Sequence, residues 1–273
     1  MNSVYLNSLV VLIAVLYGLI FMMYTPHHRI RQAPWMKGHF SHRGLFTQDQ
    51  TIPENSLSAF KASLEAGYGI ELDVGLSLDQ KVMVFHDDDL YRACGVKESV
   101  GQLNFTQLRT HHLFKSQEVI PTLEEVLKLI QGKVPLMIEL KPTLQRKALV
   151  NAVKQCLVQY TGPVTCVSFD PLIVLEVRKA MPQILRGQLM ESYLKRKDWP
   201  LSKRLILQFG LLNGMTRPDY LSVPYTHLNL CYRINRWLRG FGVLWPVGSL
   251  EAEKNCQSQG DLIIFEHYRP EHF

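Results

Sequence analysis

The 273-residue chain lacks the features of several large protein classes. Its five cysteines, at 94, 156, 166, 231 and 256, are odd in number and form no CxxC pair. Neither a disulfide framework nor structural zinc is therefore expected, and isolated buried thiols are. No long basic run occurs: 30 Lys+Arg against 24 Asp+Glu leave +6, a modest and scattered excess that gives no footprint for nucleic acid. Internal repeats and low-complexity tracts are missing, so solenoids and arrays are excluded. GxSxG, Walker A, HExxH and the kinase signatures are missing too, and the first strand is not followed by GxGxxG. What remains is 47% apolar and 20% charged residues, the composition of a chain with a folded core.

The amino-terminal stretch is apolar. Residues 4–24, VYLNSLVVLIAVLYGLIFMMY, carry no charge. As a helix they reach roughly 31 Å, against a hydrocarbon core of ~30 Å. A cleavable signal would need a basic n-region and a small-x-small cleavage site, and neither is evident. The expectation is a single-pass transmembrane anchor at 4–24 and a juxtamembrane linker at 25–38, giving a contact with membrane lipid. No Lys or Arg precedes the span, whereas Arg29, Arg31 and Lys37 follow it. The positive-inside rule then puts the body on the cytoplasmic side, and unpaired cysteines suit a reducing compartment.

Through residues 39–273, strand-like and helix-like patterns alternate. IPENSLSAFKASLEAG reads as a helix with Asn55 or Ser56 as cap and Gly67 as stop. GIELDV, KVMVFHD, VPLMIELKP, PVTCVSF and ILRGQLM read as strands, separated mostly by helices. The last third is less regular: a helix near SKRLILQFGLLNG, strands DYLSVPY and FGVLWPV, a helix near SLEAEKNCQSQG, and the strand DLIIFE. About eight strands alternating with helices predict a TIM (β/α)8 barrel of α/β class.

In such a barrel, functional side chains sit at the carboxyl ends of strands. Four candidate strands end in polar residues there: His42-Arg43, Glu71 with Asp73, His86-Asp87, and Glu139 with Lys141. Members of the pairs 71/73 and 139/141 are two apart, hence on one face of their strand. Three carboxylates about 5 Å apart repel at roughly 3 kcal/mol per pair at an effective dielectric near 20. Over three pairs this rivals a domain's whole stability of about 5–15 kcal/mol, so the acids must take up protons or gather round a cation. Hard oxygen donors without cysteine favour Mg²⁺ or Ca²⁺. His42 and His86, flanking that site, form a general acid/base pair, and Arg43 suits an anionic oxygen. The other histidines lack such neighbours; His39 reads as packed, His111 and His112 as polar loop or helix, and His267 as tail.

Six short motifs, HRG (42–44), PEN (53–55), ELDV (71–74), VFHD (84–87), IELK (138–141) and SF (168–169), fall in order along the chain. Together they resemble the glycerophosphodiester phosphodiesterase family over residues 39–270. The resemblance implies a metal-dependent TIM barrel that cleaves glycerophosphodiesters to sn-glycerol 3-phosphate and an alcohol. It implies Glu71, Asp73 and Glu139 as metal ligands, His42 and His86 as catalytic residues, and Arg43 and Lys141 as phosphate-binding residues. Glu54 falls at the site's edge, and Asn55 is either part of the site or only a helix cap. Trp245 of LWPV (244–247) is either an apolar wall for the glycerol moiety or a packed barrel residue. FEHYRP (265–270) departs from the family's usual TDxP-like stretch and leaves Glu266 without a role. The alternatives are lysophospholipase D action on a membrane lysophospholipid at the same centre, or a silent membrane scaffold.

Overall fold

A computed structural model describes residues 2–24, 28–256 and 258–271; linker positions 25–27, with His27, and terminal His272 lie outside the described residues. The chain starts in α1 (Asn2–Tyr24), where residues 7–17 and Ile20 are exposed. Side chains at 2–4, 6, 19 and 21–24 are not described, and over the described residues no helix is long and apolar enough to cross a membrane.

The barrel opens with β1 (His39–Ser41), α2 (Leu57–Glu65) and β2 (Gly69–Leu76). Ser56 caps α2 by accepting from the Ala59 N–H, which leaves the side chain of Asn55 for another task. The chain then makes an excursion through β3 (Val82–Val84), α3 (Tyr91–Cys94) and α4 (Phe105–Leu108) before α5 (Leu123–Ile130). Regular alternation follows: β4 (Leu136–Leu140), α6 (Arg146–Leu157), β5 (Val164–Ser168), α7 (Pro171–Ala180) and β6 (Leu185–Leu189). Helices α8 (Leu201–Gln208) and α9 (Asn213–Thr216) lead to β7 (Tyr220–Pro224). Last come α10 (Leu230–Trp237), β8 (Gly242–Val247), α11 (Leu250–Cys256) and β9 (Leu262–Phe265).

The nine strands form one sheet, and β1 pairs in parallel with both β2 and β9, which closes it. β3 pairs antiparallel with β2 alone, so the described residues form a closed eight-stranded parallel barrel with one strand outside it. Here the structure corrects the sequence. KVMVFHD is not a barrel strand; a turn in which the Ser77 N–H donates to Lys81 O at 2.9 Å folds it straight back on β2. So short a connection permits only an antiparallel return, since a parallel one needs a crossover of a dozen or more residues. The helix expected near SKRLILQFGLLNG is split at Gly210, whose φ of 57° ends α8. Helix α10 escaped detection because Arg233, Asn235 and Arg236 interrupt its apolar spacing.

Strand alternation divides the core. Ile70 and Leu72 of β2, with Ile138 and Leu140 of β4, pack into the helix layer on the α5–α7 side. Phe40, Met137, Val167, Tyr220 and Val243 fill the lumen instead. Tyr220 of β7 lies over Gly187 of β6 to share a 2.9 Å hydrogen bond with Thr165 Oγ1 of β5. Gly187 makes the room: a Cβ there would sit 2.3 Å from the Tyr220 ring. Gly187→Val should therefore cost about 1–3 kcal/mol by overpacking. The check is the midpoint of urea unfolding, and an unmoved midpoint would show that the lumen is loosely filled.

Candidate active site

Lumen-facing positions of β2 and β4 carry acids at their carboxyl ends. Asp73 lies opposite Glu139 in the parallel register, and Glu71 lies two residues earlier on the same face. One oxygen each of Glu71, Asp73 and Glu139 falls within 4.8 Å of the others, and all three residues are buried. Oε1 of Glu139 is buried without a hydrogen-bond partner. Lys141 Nζ stands 2.9 Å from that oxygen as an ion pair, and 3.3 Å from Asp73 Oδ1. Three hard oxygen donors within 4.8 Å of one another, with a single ammonium shared between two of them, fit a divalent cation.

The acids titrate unequally. Burial, then Asp73 and Glu139, raise the Glu71 carboxyl well above its ordinary value of 4.5. Burial also raises Asp73, but Lys141, Arg43 and His86 outweigh it and hold that carboxyl far below the ordinary range. Glu139 is raised by burial and by Asp73, with Lys141 opposing. Asn55 supports Asp73 by donating from Nδ2 to Oδ2 at 2.9 Å, so it belongs to the site and not to the helix cap.

Each candidate histidine leans on a carboxylate. His42, just past β1, has Nδ1 2.5 Å from Glu266 Oε2 and Nε2 4.0 Å from Glu71 Oε2. His86, delivered by the excursion after β3, has Nδ1 2.6 Å from Asp87 Oδ1. Arg92 grips Asp87 from Nε at 2.7 Å and Glu54 from its Nη2 at 2.6 Å. Burial would raise Glu54, yet Arg92 and Arg43 hold its carboxyl below the usual value. A carboxylate on Nδ1 fixes the tautomer and leaves Nε2 of each ring to exchange a proton. Arg43 donates from Nη1 to Glu54 at 2.7 Å and from its backbone N–H to Glu71 at 3.2 Å. Its buried Nε–H has no hydrogen-bond partner.

These groups open on a cleft of about 530 Å³. His42, Arg43, Glu54, Glu71, His86 and Glu139 form its polar side; Phe46, Phe169, Leu189, Trp245, Pro246 and Ile264 form an apolar wall. The barrel thus brings seven of the nine expected site residues to the cleft surface. Asp73 and Lys141 lie behind it, the lysine turned onto the acids. Glu266, Asp87, Arg92 and His267 were missed as site residues. Glu266 and Asp87 had a signal, since each follows a strand end. Arg92 and His267 had none, because loop packing brings them in.

Glu71→Gln removes one of the crowded charges. A carboxyl with a raised pKa stabilises the fold below its ordinary value of 4.5 and loses that contribution as pH rises through the folded value. The metal-free variant should thus match the parent near pH 4 and exceed it toward pH 8, by up to about 3 kcal/mol for each relieved contact. Thermal unfolding in chelator across that range is the measurement, and equal curves would contradict the crowding.

Comparison with known proteins agrees with this arrangement. Residues 42–223 match the family model described as the glycerophosphoryl diester phosphodiesterase family. The protein YhdW of Bacillus subtilis is 31% identical over 240 residues, 83% of this chain and 93% of that one. A glycerophosphodiester phosphodiesterase of Caldanaerobacter subterraneus is 31% identical over 179 residues, 60% of this chain and 71% of the relative. A human lysophospholipase D is 26% identical over 146 residues, 49% of this chain and 45% of that protein. Among solved structures, a phosphodiesterase of Oleispira antarctica in complex with sn-glycerol-3-phosphate superposes with a TM-score of 0.72 at 20% identity, covering 85% of this chain and 94% of its own. The match over residues 42–223 spans the acids, both histidines and the strands that carry them, and on that ground the chain belongs to the glycerophosphoryl diester phosphodiesterase family and is an enzyme of that class.

Proposed function

We propose that this enzyme hydrolyses glycerophosphodiesters to sn-glycerol 3-phosphate and an alcohol in the cleft, with a divalent cation among Glu71, Asp73 and Glu139. One observation carries the reading: two imidazoles, each tethered at Nδ1 by a carboxylate, flank a buried group of three acids. The donor set favours Mg²⁺ or Ca²⁺. Held by these three acids, such a cation would supply Lewis-acid charge to the phosphodiester and to the attacking hydroxyl.

The protein's own groups do the rest. His42 removes the proton from the 2-hydroxyl through Nε2 as its oxygen attacks phosphorus in line. The bond from phosphorus to the departing alcohol breaks, and His86 gives that oxygen a proton. The resulting cyclic phosphate is opened by water with the histidine roles exchanged. Arg43, held by Glu54 through Nη1 and 3.5 Å from Asp73 through Nε, turns its guanidinium charge to the phosphoryl oxygens. Lys141 acts one step removed, as counter-charge to Asp73 and Glu139. Trp245, edge-on to Phe169 with ring centroids 5.6 Å apart, offers the glycerol carbons an apolar face.

A second reading concerns the substrate. The apolar wall suits an acyl-bearing glycerophosphodiester, and one relative is named a lysophospholipase D. The same centre would then act on lysophospholipid drawn from a bilayer. Helix α1 supplies the anchor on this reading: a single pass at 4–24, with the barrel on the cytoplasmic side. A carboxyl-terminal alkaline phosphatase fusion tests the orientation, and strong external phosphatase activity would reverse it.

His42→Ala and His86→Ala should each lower kcat by roughly 10²–10⁴. Near-normal turnover in both would end the acid/base assignment. Purified enzyme assayed on glycerophosphocholine and on lysophosphatidylcholine, across Mg²⁺, Ca²⁺ and Mn²⁺, should show hydrolysis that chelator abolishes and metal restores. Glu71→Ala should show none, and full activity in that variant or in excess chelator would remove the cation from the proposal.

A further inference from the structure

The positive charge is less scattered than it reads along the chain. Residues 191–239 contain nine Lys+Arg and three Asp+Glu, a surplus equal to the whole chain's +6. All other residues together balance at 21 of each sign. This segment also carries eight of the large apolar side chains exposed outside α1, among them Leu201, Leu205, Ile206, Leu211, Met215 and Trp237. Trp237 is 78% exposed.

Helix α8 is turned the unusual way. Gln208 is its buried residue and accepts from the Leu194 N–H at 3.3 Å, while Leu201, Leu205 and Ile206 face out beside Lys203. An apolar face directed at solvent with lysine and arginine along its edge is the pattern of a helix lying in a membrane interface. The preceding turn adds exposed Lys195, Arg196 and Lys197, and Trp199 is covered by Lys203 Nζ at 3.4 Å from the ring centroid.

The surface runs from the cleft to α1. Glu191, at its start, lines the cleft. At its other end α1 lies against α9 and α10, which are joined through Asn213 Nδ2 and Cys231 Sγ at 3.8 Å. Beneath that junction the barrel gathers arginines: Arg29 and Arg186 lie 3.5 and 3.9 Å from buried Asp219. Arg178 and Arg217 are near enough to oppose the charge on Arg186, so cation exceeds anion where the chain leaves α1.

We propose that the face built from α8, α9, α10 and the turn at 194–199 docks on a bilayer containing anionic lipid, with its leucines and Trp237 at the acyl boundary and its basic side chains on lipid phosphates. Basic residues near such a surface draw it in, and the burial of apolar side chains holds it. Docked this way, the Glu191 side of the cleft stands next to the lipid. The inference deepens the reading of α1 as an anchor and rests on it.

Full-length protein is mixed with vesicles of zwitterionic lipid, or with part of that lipid replaced by phosphatidylserine, each with and without acyl-chain bromination. Flotation reports on the anchor; quenching of tryptophan emission and backbone hydrogen exchange report on the face. The expected result is flotation, quenching by brominated chains, and exchange protection across 201–211 and 230–237 that is stronger with phosphatidylserine. Trp237→Phe should lose the quenched component. Leu205→Ser with Ile206→Ser should lose protection while thermal unfolding in detergent stays at the parent temperature. Flotation without quenching of Trp237 or protection of α8 overturns the docking face and leaves the anchor standing. Quenching without flotation of the α1-bearing chain removes the anchor on which the proposal rests and overturns it on that ground. Protection without lipid, at a particle mass of two chains, assigns the face to a second copy and overturns the proposal.

Discussion

Negative charge forced into one small, dry space is the constraint on which this molecule turns. Strands β2 and β4 run side by side in parallel with Asp73 opposite Glu139, so their lumen-facing acids cannot move apart without breaking the barrel's register. Every nearby cation and amide answers that crowding. Lys141 sits on Asp73 and Glu139, Arg43 reaches Glu54 and lies 3.5 Å from Asp73, and Asn55 donates to Asp73. The compensation is uneven, so Asp73 keeps its charge while Glu71 resists losing its proton. One ammonium shared by two carboxylates and one reluctant carboxyl leave three oxygens converging on a common point, the geometry on which the proposed cation site rests.

His42 and its carboxylate partner come from opposite ends of the barrel and meet only because the sheet closes. His42 follows β1 and its carboxylate partner Glu266 follows β9, the neighbour that seals the barrel. His86 and Asp87 arrive on the excursion between β3 and α5, whose own small core of Met83, Phe85, Leu90 and Leu108 holds it in place. Arg92 ties that excursion to the barrel through Glu54, so a loop, more mobile than a strand by default, delivers its histidine from a fixed position. The apolar wall comes from the carboxyl ends of β5, β6, β8 and β9 and their loops, with Phe46 from the loop after β1. The cleft therefore has a charged side suited to a phosphodiester and an apolar side suited to carbon.

Charge and apolar exposure outside the site follow another division. The half of the barrel from β2 to β5 packs leucine, isoleucine and valine against α5, α6 and α7, with charges balanced on its surface. The segment 191–239 after β6 carries the surplus of positive charge, a helix with leucines turned outward, and the helices against which α1 lies.

Strand and helix alternation, the acids at 71, 73 and 139, and the histidines at 42 and 86 were legible from the chain alone. Period-two alternation and strand-end polarity are local properties, and the six motifs sit on barrel strands and the loops just beyond them. The role of Asn55 was not legible, because helix cap and hydrogen-bond donor use the same residue type and only the neighbouring Ser56 decides between them. Nor was the antiparallel course of 82–84, since an apolar run looks alike in either direction and the short turn before it sets the pairing. Arg92 and His267 reach the site through the packing of α3 and of the segment after β9, and Glu266, though marked by its place after a strand, meets His42 across 224 residues only because the sheet closes. That pairing is invisible to any local pattern. Residue type and spacing determined which groups could do chemistry here; the closed sheet alone decided which of them stand within reach of one another, because contact across a barrel depends on strand order and register and not on separation along the chain.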